Sequence, residues 1–82
     1  MGRSSRPTPK HLAKKLRRIR ERLDISQAVM CDRLGFEKIH PAHISAYEHG
    51  KREPPLPVLL KYARLARVST DVLIDDKLKL PK

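Results

Sequence analysis

The sequence has few of the residues on which disulfide-stabilised, membrane-spanning and aromatic-rich proteins depend. It contains one cysteine, three glycines, two tyrosines, one phenylalanine and no tryptophan in 82 residues. Because Cys31 stands alone, an internal disulfide is excluded and a reducing, cytoplasmic setting is favoured. No run approaches the ~18 apolar residues of a membrane-spanning helix. We therefore expect a soluble protein with no membrane partner.

Acidic residues are also scarce relative to basic ones. The chain has 19 Lys and Arg against 9 Asp and Glu, which gives a formal net charge of +10 and an isoelectric point near 10.4. Residues 1–23 hold nine of the basic residues and one acidic residue, Glu21. This excess predicts a polyanionic partner. A membrane surface or a targeting presequence is the alternative, but the segment has no aromatic residue or apolar run.

The residues that would build a catalytic or cofactor site are missing. A chain of 82 residues forms too small a core to enclose a substrate cavity. We find no Gly-rich phosphate loop and no nucleophile with a base and an orienting partner. His40, His43 and His49 lie close together, but no Cys or carboxylate accompanies them at metal-ligand spacing. We therefore expect no enzymatic activity, no metal and no cofactor.

The spacing of apolar residues predicts an all-α protein with five helices and no strand. Helix 1 is expected to begin at Thr8 and Pro9 and to carry a narrow apolar stripe on an otherwise basic surface. A wide apolar face predicts that helix 4 is buried on one side, and Ser69 is expected to cap a short fifth helix. The residues expected to face inward are Leu12, Leu16, Ile19 and Leu23 in helix 1 and Leu56, Leu59, Leu60, Ala63, Leu65 and Ala66 in helix 4.

Helices 2 and 3 are short and have well-marked ends. Ser26 is a favourable N-cap for helix 2, which is expected to end at Gly35. Pro41 suits the first turn of helix 3, and Gly50 supplies the left-handed conformation that ends it. The prolines that follow Lys51-Arg52-Glu53 cannot continue the helix. The chain must turn after Gly50.

We predict three parts along the chain. Residues 1–8 are expected to form a flexible basic arm, residues 9–75 the folded domain, and residues 76–82 a tail. In the tail, Leu78 and Leu80 alternate with lysines. A frayed end is expected there, and an extended segment that pairs with another chain is the alternative.

Residues at characteristic spacings run through most of the chain. They are Arg20, Ser26-Gln27, Leu34-Gly35, Ile44-Ser45, Tyr47-Glu48, Gly50-Lys51, Glu53-Pro54, Leu59-Leu60-Lys61, Val68-Ser69, Asp71 and Leu73. Over about residues 12–74, this set resembles the phage-repressor, Cro-like helix-turn-helix family, also called the xenobiotic response element type. The resemblance implies a compact, lambda-repressor-like DNA-binding domain in which helices 2 and 3 form the helix-turn-helix. A transcriptional regulator is the function it implies.

The resemblance also implies which residues face DNA. Helix 3 would lie in the major groove, and Gln27 at the start of helix 2 would contact a phosphate, unless it is only a polar first-turn residue. None of the matching positions is Arg, Asn or Gln, which make the bidentate base contacts. His43 is the candidate for a base hydrogen bond, and a contact with phosphate or water is the alternative. The positions expected to read bases are Pro41, Ala42, His43, Ser45 and Ala46.

Most of the affinity is expected to come from charge rather than from base contacts. Lys51 and Arg52 follow helix 3, and the basic face of helix 1 adds to them. Lys38 lies in a connection that is longer than the usual family turn by three residues. Arg3 and Arg6 are candidates for a narrow minor groove, and the alternative is that they only raise non-specific affinity.

The remaining expectations from the resemblance concern the core and the dimer. Arg20 and Glu48 are expected to form an ion pair between helix 1 and the end of helix 3. The residues expected in the core are Leu16, Ile19, Met30, Ile44, Tyr47 and Leu60. A homodimer is expected through helix 5 and the tail, at Val72, Ile74, Leu78 and Leu80.

These features together predict a repressor that binds a near-palindromic operator as a dimer, in the cytoplasm and associated with the nucleoid when bound to DNA. One alternative is a protein-binding module, such as the antitoxin of a toxin-antitoxin pair or a coactivator-like adaptor. The other is an architectural or RNA-binding protein with little sequence preference.

Overall fold

The computed structural model describes residues 9–81, so the predicted arm at residues 1–8, with Arg3 and Arg6, lies outside the described part. Within residues 9–81 the chain forms five α-helices and no strand. The all-α prediction is therefore confirmed. The helices are α1 Leu12–Leu23, α2 Gln27–Leu34, α3 Pro41–Glu48, α4 Leu56–Ala66 and α5 Thr70–Ile74.

The ends of α2 and α3 follow the local sequence. The Ser26 hydroxyl accepts a hydrogen bond from the Val29 backbone N–H at 3.1 Å, which satisfies one of the free donors of the first turn. Gly35 and Gly50 have φ angles of +75° and +72°, in the left-handed region that favours glycine. Ser69 precedes α5 as expected, but its side chain makes no capping hydrogen bond.

The first helix does not begin where the sequence predicted. It starts at Leu12 rather than at Pro9, and Thr8 lies outside the described residues. The backbone N–H groups of Lys10 and His11 donate to the carboxylate of Asp76, at 2.9 and 3.1 Å. These hydrogen bonds lower the pKa of Asp76. The carboxylate of Asp76, which is distant in sequence, thus accepts hydrogen bonds from backbone N–H groups just before α1, where a local N-cap was expected.

The tail from residue 76 to residue 81 is not frayed. Besides the contacts of Asp76, the guanidinium of Arg22 donates to the backbone carbonyl of Pro81, and Leu80 packs against the core. The expectation of a frayed end is wrong for these residues. Lys10 and His11, just before α1, and Arg22 within α1 hold the tail in place across about sixty residues of sequence.

The core is built from all five helices, which surround a single cluster of buried side chains. As predicted, the apolar stripe of α1 faces this cluster, with Leu16 completely buried. The most extensive contacts join α2 to α3, α1 to α3 and α4 to α5. The buried apolar residues are Leu12, Leu16, Ile19, Met30, Leu34, Ile44, Tyr47, Val58, Leu59, Tyr62, Ala63 and Leu73.

The buried face of α4 agrees only in part with the predicted one. Leu60 is 42% exposed and Leu56 is 75% exposed, so the assignment of these leucines to the core is wrong. Val58 and Tyr62 are buried instead. These two residues lie one helical turn apart on the face that meets the core, whereas Leu56 and Leu60 lie on the neighbouring surface. The other four predicted residues are confirmed, because Leu59 and Ala63 are buried and Leu65 and Ala66 pack against the core.

Lys15 corrects the expectation of a wholly solvent-facing basic surface on α1. It is 7% exposed, and its ammonium donates to the backbone carbonyls of Val72 and Asp75 at 2.8 and 3.1 Å. These carbonyls belong to the C-terminal end of α5, where a cation is favourable and carbonyls lack partners within the helix. Lys15 therefore stabilises the packing of α5 on α1 and is not available to DNA.

The hydroxyl of Tyr62 is the one buried side-chain polar atom, among residues 9–81, without a hydrogen-bond partner. Burial and the nearby Glu48 raise the pKa of Tyr62 well above its usual value. We expect Tyr62→Phe to leave stability unchanged or to raise it by up to about 2 kcal/mol, because an unsatisfied buried hydroxyl is removed. Thermal unfolding followed by circular dichroism measures this. A melting temperature lowered by several degrees would show instead that the hydroxyl has a stabilising partner.

Candidate nucleic-acid interface

Arg20 and Glu48 connect α1 to the last residue of α3. Arg20 Nε lies 2.6 Å from Glu48 Oε2, and Arg20 Nη2 lies 3.0 Å from Glu48 Oε1. This bidentate contact raises the pKa of Arg20. The side chain of Glu48 is 2% exposed and that of Arg20 is 17% exposed, so the pair is largely shielded from water. Arg20 Nη1 also donates to the backbone carbonyl of Ile25 at 3.0 Å, just before α2.

Gln27 joins the same network at the first position of α2. Its side-chain Nε2 donates to Glu48 Oε1 at 3.2 Å. One amide N–H is therefore committed to Glu48, while the other N–H and the free backbone donors of the first turn remain for an anion. The network of Arg20, Glu48 and Gln27 fixes α1, the start of α2 and the end of α3 relative to one another. Sequence reasoning placed each residue but did not anticipate the contact between Gln27 and Glu48.

Helix α3 has a buried side and an outward side. Ile44, Tyr47 and Glu48 face the core. Pro41 and Ala42 are exposed, and His43, Ser45 and Ala46 are half-buried. All five positions expected to read bases are thus at least partly accessible. Three of the five, Ala42, Ser45 and Ala46, have small side chains.

His49 is a residue of this surface that sequence reasoning did not include. It is exposed, and its Nδ1 lies 2.7 Å from the backbone carbonyl oxygen of Ser45, one turn earlier. The spacing of four residues from Ser45 places it on the same helical face. That spacing was visible in the sequence, but the residue was interpreted only as a possible metal ligand. Among residues 9–81, no group of three or more potential metal ligands is found.

The basic residues that flank α3 are exposed. Lys51 and Arg52 follow Gly50 directly, and the Lys51 backbone N–H donates to the Ala46 carbonyl at 2.9 Å. The longer connection before α3 is held in place because Cys31 Sγ donates to the Ile39 carbonyl at 2.8 Å. Lys38 lies exposed within that connection.

The basic surface of α1 is divided between two sides of the molecule. Ala13 approaches Gly50 at the end of α3, so Arg17, one turn along, is on the α3 side and pairs with Glu21 at 3.2 Å. Arg18 and Arg22 instead line a groove with Lys79 and Leu80 of the tail. Only part of the helix 1 charge therefore lies near the outward face of α3.

The residues expected to form a dimer contact differ in how far they are exposed to solvent. Ile74 and Leu78 are 43% and 40% exposed. Val72 is half-buried, and Leu80 is half-buried against the core of its own chain. Ile74 and Leu78 are thus the larger apolar side chains of this set that remain open to solvent.

The geometry is that of two short helices, α2 and α3, held by α1 and presenting one accessible helical face. Residues 16–73 match the model of a family described as "Helix-turn-helix". The chain belongs to this helix-turn-helix family. This match confirms the family resemblance drawn from the sequence. Members of the phage-repressor type are DNA-binding regulators rather than enzymes.

Comparison with solved structures supports the same assignment. The chain is similar to the P22 c2 repressor protein, whose crystal structure was determined in complex with synthetic operator 9T in the presence of Tl⁺. The two share 26% sequence identity and a TM-score of 0.69, over 79% of this chain and 94% of the repressor chain. No curated protein sequence matches this chain. None of the helices within residues 9–81 is long and apolar enough to cross a membrane.

Proposed function

We propose that this helix-turn-helix protein is a transcriptional repressor that binds a near-palindromic DNA operator as a homodimer. The observation that carries the proposal is the network of Arg20, Glu48 and Gln27, which orients α2 and α3 so that the accessible face of α3 can enter a major groove. The similar P22 c2 repressor was solved bound to an operator, which supports DNA as the partner.

In the proposed complex, backbone and base contacts come from different parts of the surface. Gln27 binds a phosphate at the N-terminus of α2. Lys51, Arg52 and Lys38 contact the flanking phosphates, and Arg3 and Arg6 of the arm add to this charge. The residues that meet base edges are Pro41, Ala42, His43, Ser45 and Ala46, with the methyl groups of the two alanines suited to thymine.

The proposed dimer forms through α5 and the tail. Two reading helices must lie about 34 Å apart to enter successive major grooves on one face of DNA. Ile74 and Leu78 provide exposed apolar surface, and Val72 and Leu80 border it. The protein acts in the cytoplasm and is associated with the nucleoid when bound. A monomer in sedimentation at micromolar concentration, without DNA, would contradict this part of the proposal.

A second candidate function is a protein-binding module, such as an antitoxin or a coactivator-like adaptor. The observation in its favour is that the accessible face of α3 carries no Arg, Asn or Gln, which are the side chains that discriminate bases best. An architectural or RNA-binding role would follow from the same weakness. The net charge of +10 argues against a purely protein-binding role.

Selection of bound duplexes from a random pool, at two salt concentrations, tests the proposal. We expect an enriched inverted repeat, bound about 10³-fold or more tightly than random duplexes. Ala42→Glu is the matched control, because it places a negative charge on the exposed face of α3 and should abolish enrichment without unfolding the protein. Discrimination below about tenfold would instead indicate the architectural alternative. Capture of one protein partner after nuclease treatment would indicate the second candidate.

A further inference from the structure

Two histidines, one in α3 and one directly after it, contact different backbone groups: His43 contacts an N–H group and His49 contacts a carbonyl group. His43 Nδ1 lies 2.9 Å from the backbone nitrogen of His40, and His49 Nδ1 lies 2.7 Å from the backbone oxygen of Ser45. A backbone N–H can only donate a hydrogen bond, and a backbone carbonyl can only accept one. The Nδ1 atom of His43 must therefore be bare, whereas the Nδ1 atom of His49 must carry a proton.

These backbone contacts determine what the other ring nitrogen can do. A neutral imidazole carries its proton on one nitrogen only, so the tautomer is set by the hydrogen bond that the first nitrogen makes. His43 consequently carries its proton on Nε2, and His49 has a bare Nε2. Neither Nε2 atom has a hydrogen-bond partner among residues 9–81. His43 thus offers a donor to a ligand, and His49 offers an acceptor.

The two groups are placed where a DNA groove would meet them. His49 is exposed and His43 is half-buried. Their positions in the sequence differ by six, which corresponds to about 9 Å along a helix axis and about 120° around it, so the two imidazoles lie on either side of Ala46. Between them, Ser45 and Ala46 have small side chains. The His43 ring stacks on the His40 ring with centroids 5.6 Å apart and lies 6.5 Å from the Tyr47 ring, which fixes its orientation.

We propose that His43 and His49 read opposite hydrogen-bonding groups on DNA bases. His43 donates to an acceptor, namely purine N7, guanine O6 or thymine O4, and disfavours cytosine at that position. His49 accepts from an exocyclic amino group, N6 of adenine or N4 of cytosine, and disfavours guanine and thymine. The inference rests on the proposed function, because it requires α3 to enter the major groove. It adds His49 to the reading surface and assigns a donor or an acceptor role to each histidine.

Two substitutions keep the backbone contacts while removing the groups that would face DNA. In His43→Asn, the side-chain Oδ1 can still accept from the His40 N–H in place of Nδ1, and no atom of the shorter side chain reaches the position of the donor Nε2. In His49→Asn, the side-chain amide can still donate to the Ser45 carbonyl, whereas its acceptor Oδ1 lies on a shorter side chain and does not reach the position of Nε2. Duplexes are selected from a random pool by the wild-type protein and by each variant. Melting temperatures within a few degrees of the wild type confirm that both variants are folded.

We expect each variant to lose base preference at one position of the half-site, by roughly 3- to 10-fold, the effect of one hydrogen bond. The two variants should lose preference at different positions of the half-site, because the two imidazoles lie on different sides of the helix. If His49→Asn loses a preference for adenine at one position, that adenine is replaced by purine, which lacks the amino group. The replacement should weaken binding of the wild-type protein by a similar factor and leave binding of the variant unchanged. An inverted repeat selected by all three proteins with the same preferences would overturn this inference and leave the proposed function standing. If the wild-type protein enriches no sequence, the proposed function fails, and this inference fails with it.

Discussion

Replacing Glu48 with alanine should lower the melting temperature by more than about 10 °C. Removing one partner of a buried ion pair costs about 3 to 5 kcal/mol, because the other charge is left without compensation. Arg20 keeps 17% of its side chain exposed, so the lower end of that range applies. For a domain of this size, each kcal/mol shifts the melting temperature by about 4 to 8 °C. Thermal unfolding by circular dichroism at neutral pH measures the effect.

Glu21→Ala is the matched control for this experiment. Glu21 also pairs with an arginine, Arg17, but the two side chains are 54% and 59% exposed. Exposed pairs of this kind contribute about 0.3 to 0.5 kcal/mol, so the melting temperature should change by only a few degrees. Equal effects of Glu48→Ala and Glu21→Ala would show that the buried network does not hold the helices together. A double-mutant cycle with Arg20→Ala would then isolate the pairwise energy.

The network has a consequence for DNA binding as well as for stability. Glu48 accepts hydrogen bonds from Arg20 and from Gln27, so its loss frees the side chain at the start of α2. Under the proposed function, Gln27 is the phosphate contact at that helix terminus. The same residue that secures the fold therefore also orients a binding group.

Local sequence was sufficient to predict those parts of the fold that depend on neighbouring residues. The ends of α2 and α3 follow from Ser26, Gly35 and Gly50, because caps and left-handed turns are determined within a few residues. The buried face of α1 also follows, because the helix has only four leucine and isoleucine residues and all four fall on one helical face. In each case the structure depends on residues that are close together in the sequence.

The failed predictions depend on contacts between residues distant in sequence. Asp76 binds the backbone N–H groups of Lys10 and His11, 65 or more residues away. Lys15 binds carbonyls of α5, 57 or more residues away. Neither partner can be chosen from helical periodicity or from charge pattern. A lysine on a basic helix is usually exposed, and only the position of α5 makes burial of Lys15 favourable.

The candidate binding surface shows the same division. The family resemblance was sufficient to name most of its residues. It was not sufficient to predict which of their side chains donate hydrogen bonds and which accept them. His43 and His49 are identical side chains in sequence, and they differ because one contacts a backbone N–H and the other a backbone carbonyl. Side-chain identity therefore predicts where a contact can occur, while the backbone determines whether it donates or accepts.

The second large effect is expected from the basic residues after α3. Substituting both Lys51 and Arg52 with alanine should weaken binding to the selected operator roughly 10- to 100-fold at 0.1 M salt, because two charge-assisted phosphate contacts are lost. The plot of log affinity against log salt should become less steep by about 1.8, since each phosphate contact contributes about 0.9 to the slope. Fluorescence anisotropy titrations at several salt concentrations measure both quantities.

The control changes the net charge by the same amount at a different place. Lys77 and Lys79 lie in the tail, where Lys79 lines the groove formed with Arg18 and Arg22 rather than the accessible face of α3. Charges more than about 10 Å from the phosphates are largely screened at 0.1 M salt. Because the tail belongs to the proposed dimer contact, sedimentation is used to check that the variant with both lysines replaced by alanine has the same oligomeric state as the wild type. With that state unchanged, binding should weaken by less than about threefold and the slope should stay nearly the same. Equal losses in the two double variants would show that binding depends on total charge alone, and that α3 and its flanking residues do not define the DNA-binding face.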